Sequence, residues 1–159
     1  MGIGGIETGL RDISSYLSKK KIENYILCER SKNNITDKSL NIIYLDNLKF
    51  KNIFDQYKIK ISLKKIIQNK GINLVHISSR APAFFLINFL RKMNIKIVTS
   101  VHNKYKPGFL LKDWYNSFLL KGDSVIFNSN FVKNSYINKY SNKHKLFVIP
   151  RGIDTDYFQ

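Results

Sequence analysis

The chain has 159 residues, of which 43% are hydrophobic and 13% aromatic, so it can bury the core of one domain and is not a disordered chain. Its formal net charge of +16 comes mainly from lysine, which outnumbers arginine 22 to 5, and isoleucine (22) and asparagine (17) are also abundant. A/T-rich codons supply all three residues, so we interpret the charge as compositional drift and expect no nucleic-acid partner, although anionic lipid headgroups would attract such a surface.

Six short β-rich runs are predicted to form the strands of a parallel sheet. Most are continuously apolar, as expected for strands covered on both faces, and they alternate with helix-like segments. The runs are residues 25–29, a weaker 42–45, 74–78, 96–101, 124–128 and 146–149. Strand and helix alternating in this way predict βαβ units, and hence an α/β fold with a Rossmann-like, doubly wound parallel sheet.

Apolar residues at helical spacing predict five helices between these strands. Gly71 is expected to end the second helix, and Pro82 to start the third. The predicted apolar positions are Ile6, Leu10, Ile13 and Leu17; Ile59, Leu63 and Ile66; 83–90; Leu110, Trp114 and Phe118; and Val132, Tyr136 and Tyr140.

A first, central strand is expected before the glycine-bearing loop at residues 2–5, but only Met1 precedes that loop. A sheet without its middle strand would leave two unpaired edges. The sequence therefore predicts a fragment whose first strand is missing.

The single cysteine, Cys28, excludes an intramolecular disulfide and is expected to be a small buried hydrophobic residue. No apolar run approaches the ~18 residues of a membrane span, and no signal peptide precedes Gly4. We therefore expect a cytoplasmic chain that is at most peripheral to a membrane.

Polar and glycine residues follow four of the predicted strands. In open α/β sheets ligands bind outside the carboxyl ends of the strands, so these residues predict a cleft at one edge. They are Ser78-Ser79-Arg80, His102-Asn103, Asn128-Ser129-Asn130 and Pro150-Arg151-Gly152. The pair Gly4-Gly5 opens the first helix, where the backbone could approach a phosphate or simply turn.

His102 is the main candidate for chemistry, because it follows a buried strand in a polar loop. Its imidazole could hydrogen-bond a hydroxyl or offset developing charge, or it could cap a backbone carbonyl. By contrast, His76 lies inside a strand and is expected to be a core or sheet-neighbour residue. His144 lies between two lysines and is expected to be exposed.

Arg80 and Arg151 are two of only five arginines. Each could hold a phosphate or carboxylate in a planar fork, or form a structural salt bridge. Ser129 or Asn130 is expected to cap the following helix, with its free amides facing the cleft. No metal-ligand spacing, Walker loop or GxSxG motif is present.

Five segments together resemble the N-terminal, acceptor-binding domain of family-4 glycosyltransferases, which have the GT-B architecture. The Ser-Arg-Ala-Pro and Ile-Pro-Arg-Gly variants are similar to bacterial envelope-polysaccharide members, such as those of lipopolysaccharide synthesis. The segments are Gly4-Gly5-Ile-Glu7, Val75-His76-Ile-Ser-Ser-Arg80-Ala-Pro82, Thr99-Ser-Val-His102-Asn103, Asp123-Ser-Val-Ile-Phe-Asn-Ser129-Asn-Phe-Val132 and Ile149-Pro-Arg-Gly-Ile-Asp154.

This resemblance implies a retaining, metal-independent transfer of a sugar from a nucleotide diphosphate sugar to a glycan or lipid-linked acceptor, without a cofactor. It implies that Gly4 and Gly5 lie near the donor diphosphate and that His102 faces the transferred sugar. Residues Arg80, Asn103, Ser129, Asn130 and Arg151 are expected to border the acceptor cleft.

The same resemblance implies that residues 1–149 form the acceptor-binding domain and that 150–159 begin the linker to an absent donor-binding domain. The chain alone is then expected to be inactive. The alternative is a free-standing Rossmann-like module with a basic surface for RNA or anionic membrane. A dinucleotide-dependent enzyme is a third alternative, which the incomplete glycine fingerprint and the lack of a well-placed acidic residue at the end of the second strand disfavour. Glu29 is the only candidate for that residue, at about the expected interval after the glycines.

Overall fold

A computed structural model describes residues 5–29, 39–46, 48, 52–106, 108, 110–137 and 145–152. Helices and strands alternate along this part of the chain, which divides into two compact units, Met1–Ile66 and Ile67–Gln159. The elements in chain order are α1 (Gly5–Lys19), β1 (Ile26–Glu29), β2 (Ile42–Leu45), α2 (Ile53–Asn69), β3 (Leu74–Ile77), α3 (Arg80–Lys92), β4 (Lys96–Val101), α4 (Leu110–Ser117), a 3-10 turn (Phe118–Leu120), β5 (Ser124–Phe127), α5 (Asn130–Ile137) and β6 (Lys145–Val148).

The first unit contains a two-stranded parallel sheet. Strands β1 and β2 pair with Ile26 opposite Ile42, so the weaker strand predicted at 42–45 is confirmed. The apolar face of α2 carries Ile59 and Leu63, which are 2% and 5% exposed. Cys28 is half-buried, and burial raises the pKa of its thiol.

The second unit is built on a four-stranded parallel sheet in the order β3-β4-β5-β6. Strand β4 is central; its Ile97 and Val101 are at most 1% exposed, and Val125 and Phe127 of β5 are fully buried. Helix α3 packs on β4 and on the 3-10 turn. Both sheets are parallel and their strands alternate with helices along the chain, as the predicted α/β, Rossmann-like class requires.

Three helices end in the same way before the chain turns into a strand. The second residue after the helix has a left-handed backbone, with φ of 58° at Lys21, 59° at Gly71 and 57° at Asn94. The isoleucine that follows each of them donates its amide to the carbonyl five residues earlier, which satisfies a helix-end acceptor. The predicted end of the second helix at Gly71 is confirmed. Lys21 and Asn94 have the same left-handed backbone at the ends of α1 and α3, although neither is a glycine.

Helix α3 begins earlier than the sequence predicts. Its N-cap is Ser79, and Arg80 is the first helical residue. Pro82 therefore lies within the first turn of α3 rather than at its start. The amides of the first turn have no partner within a helix, so the missing amide hydrogen of Pro82 costs no hydrogen bond.

The apolar stripe predicted for α4 is wrong. Leu110 is 86% and Trp114 54% exposed, and only Phe118, which belongs to the 3-10 turn, is buried. The inward positions of α4 are instead Asp113 and Asn116. In the same way, α1 exposes Ile13 (47%) and buries Ser14, whose hydroxyl donates a hydrogen bond to Asn24. Tyr140 and His144 lie outside the described residues.

None of the helices in the described ranges is both long enough and apolar enough to cross a membrane.

We expect Gly122→Ala to destabilise the second unit. A Cβ at Gly122 would lie 2.8 Å from Thr99 Oγ1 and 2.9 Å from the Ser124 carbonyl oxygen, and overpacking of this kind costs about 1–3 kcal/mol. Gly152→Ala is the matched control, since nothing lies within 4 Å of its added Cβ. Urea unfolding of both variants measures the difference; equal midpoints would contradict the close approach at Gly122.

Candidate functional site

The carboxyl ends of β3, β4, β5 and β6 lie at one edge of the four-stranded sheet. All three strand pairings are parallel, so the residues that follow each strand emerge on the same side. Four predicted site segments, which begin after Ile77, Val101, Phe127 and Val148, therefore share this edge.

His102 and Arg151 meet at this edge across 49 residues of sequence. The Arg151 Nη2 atom lies 3.3 Å from His102 Nδ1. Their strands, β4 and β6, flank β5, so the contact bridges over the end of that strand. The Arg151 guanidinium therefore contacts an imidazole nitrogen at this edge.

The contact with Arg151 fixes the tautomer of the His102 imidazole. A guanidinium only donates, so Nδ1 must accept and the ring proton must lie on Nε2. Burial, then the positive charge of Arg151 and then His76, lower the His102 pKa to about 4. His102 is therefore neutral at pH 7 and presents Nε2–H as a hydrogen-bond donor.

Two buried polar atoms at this edge have no hydrogen-bond partner in the described part of the chain. They are Nε2 of His102 and Oδ1 of Asn128. The amide of Asn128 is oriented by its own hydrogen bond, since Nδ2 donates to the His102 carbonyl oxygen at 3.0 Å. A buried donor and a buried acceptor that lack partners each cost about 1–3 kcal/mol, so both are positions where a polar ligand would be stabilised.

The loop after His102 is held against α5. The backbone amide of Tyr105 donates to Ser135 Oγ at 3.0 Å, and the Tyr105 ring contacts the Tyr136 ring edge-on with centroids 5.5 Å apart. Tyr105 is 8% exposed. His102 and Asn103 thus lie on a segment fixed at one end by β4 and at the other by Tyr105, with Asn103 itself exposed.

Ser129 is the N-cap of α5, as predicted. Its Oγ accepts a hydrogen bond from the Val132 amide at 3.2 Å, which satisfies one of the free amides at the start of the helix. Asn130 is the first helical residue and is exposed. The Ser129 hydroxyl is therefore already engaged in capping, and the Asn130 side chain is accessible.

Arg80 is held by α4 rather than by an acidic partner. Its Nη1 atom donates to Asn116 Oδ1 at 3.2 Å, and Asn116 is 5% exposed. Burial raises the pKa of Tyr136, and the positive charge of Arg80 counteracts part of that rise. Arg80 thus lies within electrostatic range of α5.

The structure brings some of the predicted site residues together and keeps others apart. His102 and Arg151 are in contact, whereas Arg80 is fixed separately by Asn116. Gly5 begins α1 and is exposed, and Gly4 lies outside the described residues.

The sequence placed Asn128 in a predicted cleft segment directly after β5, but it did not indicate the hydrogen bond from Asn128 to the His102 carbonyl. His76, as predicted, is a sheet neighbour; its Nε2 hydrogen-bonds Ser100 Oγ on β4. In the described residues no three His, Cys, Asp or Glu side chains are grouped where they could hold a metal ion.

The chain is similar to known glycosyltransferases. The family model of Glycosyltransferase Family 4 matches residues 3–157. The crystal structure of a glycosyltransferase from Rickettsia africae ESF-5 is 30% identical with a TM-score of 0.78, over 99% of this chain and 42% of that one. Sucrose-phosphate synthase from Thermosynechococcus elongatus has a TM-score of 0.73 at 15% identity, over 96% of this chain and 44% of that one.

This chain thus spans less than half of the length of either protein. No protein of curated function matches it significantly. These neighbours confirm the predicted fold, a Rossmann-like half of a GT-B architecture.

We expect Arg151→Gln to raise the His102 pKa above 4 but to leave it below 6.5, because burial, the larger cause, remains. Folded His102 then takes up its proton at a higher pH. NMR titration of the imidazole signals measures this shift. The His76 signal is an internal control, since burial alone lowers its pKa. An unchanged His102 pKa would contradict the contact.

Proposed function

We propose that this chain, which belongs to glycosyltransferase family 4, is the acceptor-binding half of an enzyme that moves a sugar from a nucleotide diphosphate sugar to a hydroxyl of an acceptor. Family membership supports the reaction class. The chain corresponds to less than half of the Rickettsia africae protein, so the donor-binding half is proposed to lie in a second domain of the same or another chain.

One observation carries the assignment of the site. A neutral imidazole lies at the carboxyl edge of a parallel sheet with its Nε2–H buried and without a partner among the described residues. Sugar hydroxyls are uncharged acceptors of such hydrogen bonds, and a fixed neutral donor can also stabilise negative charge that develops as the bond to the sugar breaks. The edge therefore suits a ligand that is polyhydroxylated.

We assign the His102 imidazole a donating role rather than a proton-accepting one. Its Nδ1 accepts from Arg151 and its pKa is about 4, so it is a poor general base at neutral pH. Arg151 acts as a positioning residue because it fixes the tautomer. Asn128 holds the His102 carbonyl, and its free Oδ1 is an acceptor for a ligand hydroxyl.

The remaining assignments extend the proposal to the whole enzyme. The transfer is proposed to retain the anomeric configuration without a metal, with Gly4 and Gly5 near the donor diphosphate. Residues 1–149 form the acceptor-binding domain and 150–159 begin the linker. The acceptor is proposed to be a glycan or lipid-linked glycan of a bacterial envelope polysaccharide. We propose that this chain is inactive without a donor-binding half, because contacts to the donor stabilise the transition state.

We expect His102→Ala to lower kcat about 100-fold in a protein that joins this chain to a donor-binding domain, since loss of one preorganised donor costs about that much. The measurement is nucleoside diphosphate release from a panel of nucleotide sugars, with thermal unfolding of each variant as a check on folding.

His76→Gln is the matched control, because glutamine can still donate to Ser100 and the residue lies within β3. Its kcat should stay within about three-fold of the parent enzyme, a change below 1 kcal/mol. Equal losses in both variants, or an unchanged rate for His102→Ala, would remove His102 from the site.

Arg80→Lys should raise the KM for a charged acceptor about ten-fold and leave kcat nearly unchanged. Lysine keeps the charge but loses the planar fork that binds phosphate or carboxylate with two hydrogen bonds. Arg91→Lys is the control, since Arg91 lies at the other end of α3 and bonds the Lys121 carbonyl. Initial rates at varied acceptor concentration separate KM from kcat; equal KM values in both variants would place Arg80 outside the acceptor site.

A further inference from the structure

An exposed aromatic ring lies beside an ammonium group at the carboxyl edge of the four-stranded sheet. Phe131, the second residue of α5, is 66% exposed. The Lys104 Nζ atom lies over its ring, 5.2 Å from the centroid. Lys104 is itself exposed, and it belongs to the segment that follows His102. We call these two residues the ring-lysine pair; its members follow β5 and β4, which are neighbouring strands.

Hydrogen bonds fix the backbone that carries both members of the pair. The first turn of α5 is capped by Ser129, whose Oγ accepts from the Val132 amide at 3.2 Å. On the other segment, the amide of Tyr105, directly after Lys104, donates to Ser135 Oγ of α5 at 3.0 Å. The segment after β4 is therefore tied to the helix that carries the ring, and the pair is part of the folded structure.

Polar groups that suit hydroxyls lie on the same two segments. Asn103 and Asn130, which immediately precede the two members of the pair, are both exposed. Nε2 of His102 and Oδ1 of Asn128 are buried and have no hydrogen-bond partner among the described residues. Aromatic rings combined with a few placed polar groups are typical of sites that bind small polar molecules.

The charge near the pair has a single sign. Residues 103–112 and 124–153 contain no Asp or Glu. Of the acidic residues that lie between these ranges, Asp113 is 8% exposed. Asp123 precedes β5, at the opposite edge of the sheet, where its Oδ2 accepts from the Ile97 amide at 2.8 Å. A ligand at the pair therefore meets a cation and no carboxylate from either segment, which favours a negatively charged ligand.

We propose that the ring-lysine pair is an acceptor subsite for a sugar that carries a negative charge, either a uronate carboxylate or a phosphate ester. The C–H groups on one face of the sugar pack on the negative face of the Phe131 ring, and the anionic group pairs with Lys104. This inference rests on the proposed function in one respect, that the edge binds a sugar. It adds the charge of that sugar and the two residues that select it.

A ring beside a lysine also suits a nucleobase and its phosphate, but two observations favour a sugar. The buried groups without partners, His102 Nε2 and Asn128 Oδ1, are an uncharged donor and an uncharged acceptor, which complement hydroxyls. The chain also belongs to glycosyltransferase family 4, whose reaction requires that a sugar be bound. RNA is therefore treated as an outcome of the test.

The test titrates the 159-residue chain with methyl glucuronide, glucose 6-phosphate and the neutral methyl glucoside, followed by saturation-transfer NMR. We expect a Kd of about 1–10 mM for the two charged sugars, and about five-fold weaker binding of methyl glucoside, which lacks the ion pair. Inorganic phosphate, measured by competition, should bind about five-fold more weakly than glucose 6-phosphate because it has no face to stack. No nucleotide sugar is present, so the outcome is separate from that of the transferase assay.

Substitutions separate stacking from charge. Phe131→Leu should weaken binding of all three sugars about five-fold, because leucine has no aromatic face, whereas Phe131→Tyr should stay within about two-fold. Lys104→Gln should weaken only the two charged sugars, by about five-fold, and remove the preference for charge. The matched controls are Phe54→Leu on α2, where Phe54 is 75% exposed, and Lys92→Gln at the last residue of α3. Both controls should change each Kd less than about two-fold.

Four outcomes would overturn the proposal. Sugar binding that Phe131→Leu leaves unchanged would place the stacking contact elsewhere. Equal affinity for methyl glucoside and methyl glucuronide, or a preference for charge that persists in Lys104→Gln, would remove the charge selection. Absence of binding by all three sugars would remove the subsite, while release of nucleoside diphosphate still decides the proposed function. Oligouridine that binds more tightly than the sugars, with binding lost in Phe131→Leu, would make RNA the ligand.

Discussion

The parallel pairing of β3, β4, β5 and β6 is the constraint on which the site depends. Each pairing brings the carboxyl end of one strand beside that of the next, so residues separated by dozens of positions emerge at one edge. The burial of β4 and β5 stabilises this register, because a shift by one residue would move Val125 and Phe127 from the fully buried face of β5 to its half-buried face. The contact between His102 and Arg151 across β5 follows from that register.

That contact determines which chemistry the histidine can perform. An imidazole beside a carboxylate would be readily protonated, whereas one beside a guanidinium and partly buried has its pKa lowered to about 4. A neutral ring with one nitrogen already accepting a hydrogen bond presents only a donor. This property fits a glycosyltransferase in which the histidine hydrogen-bonds a sugar, and it fits poorly with an enzyme that needs a general base at this position.

The second unusual feature near the site is helix α4. Helix α4 buries polar residues and exposes apolar ones, an arrangement that costs stability unless the exposed side chains contact something apolar. Arg80 connects this helix to the site edge through its hydrogen bond to buried Asn116. The polar inward face of α4 thus helps to position Arg80.

The sequence by itself determined the strands, the fold class and the candidate residues, because continuous apolar runs and helix-ending residues are local signals. It gave the wrong inward face for α4, since spacing shows which residues share a helical face but not which face is covered. It also left the histidine role open. Only the tertiary structure decided that, because the pKa of His102 is lowered first by burial and then by Arg151. Its tautomer depends on the contact with Arg151, a residue 49 positions away.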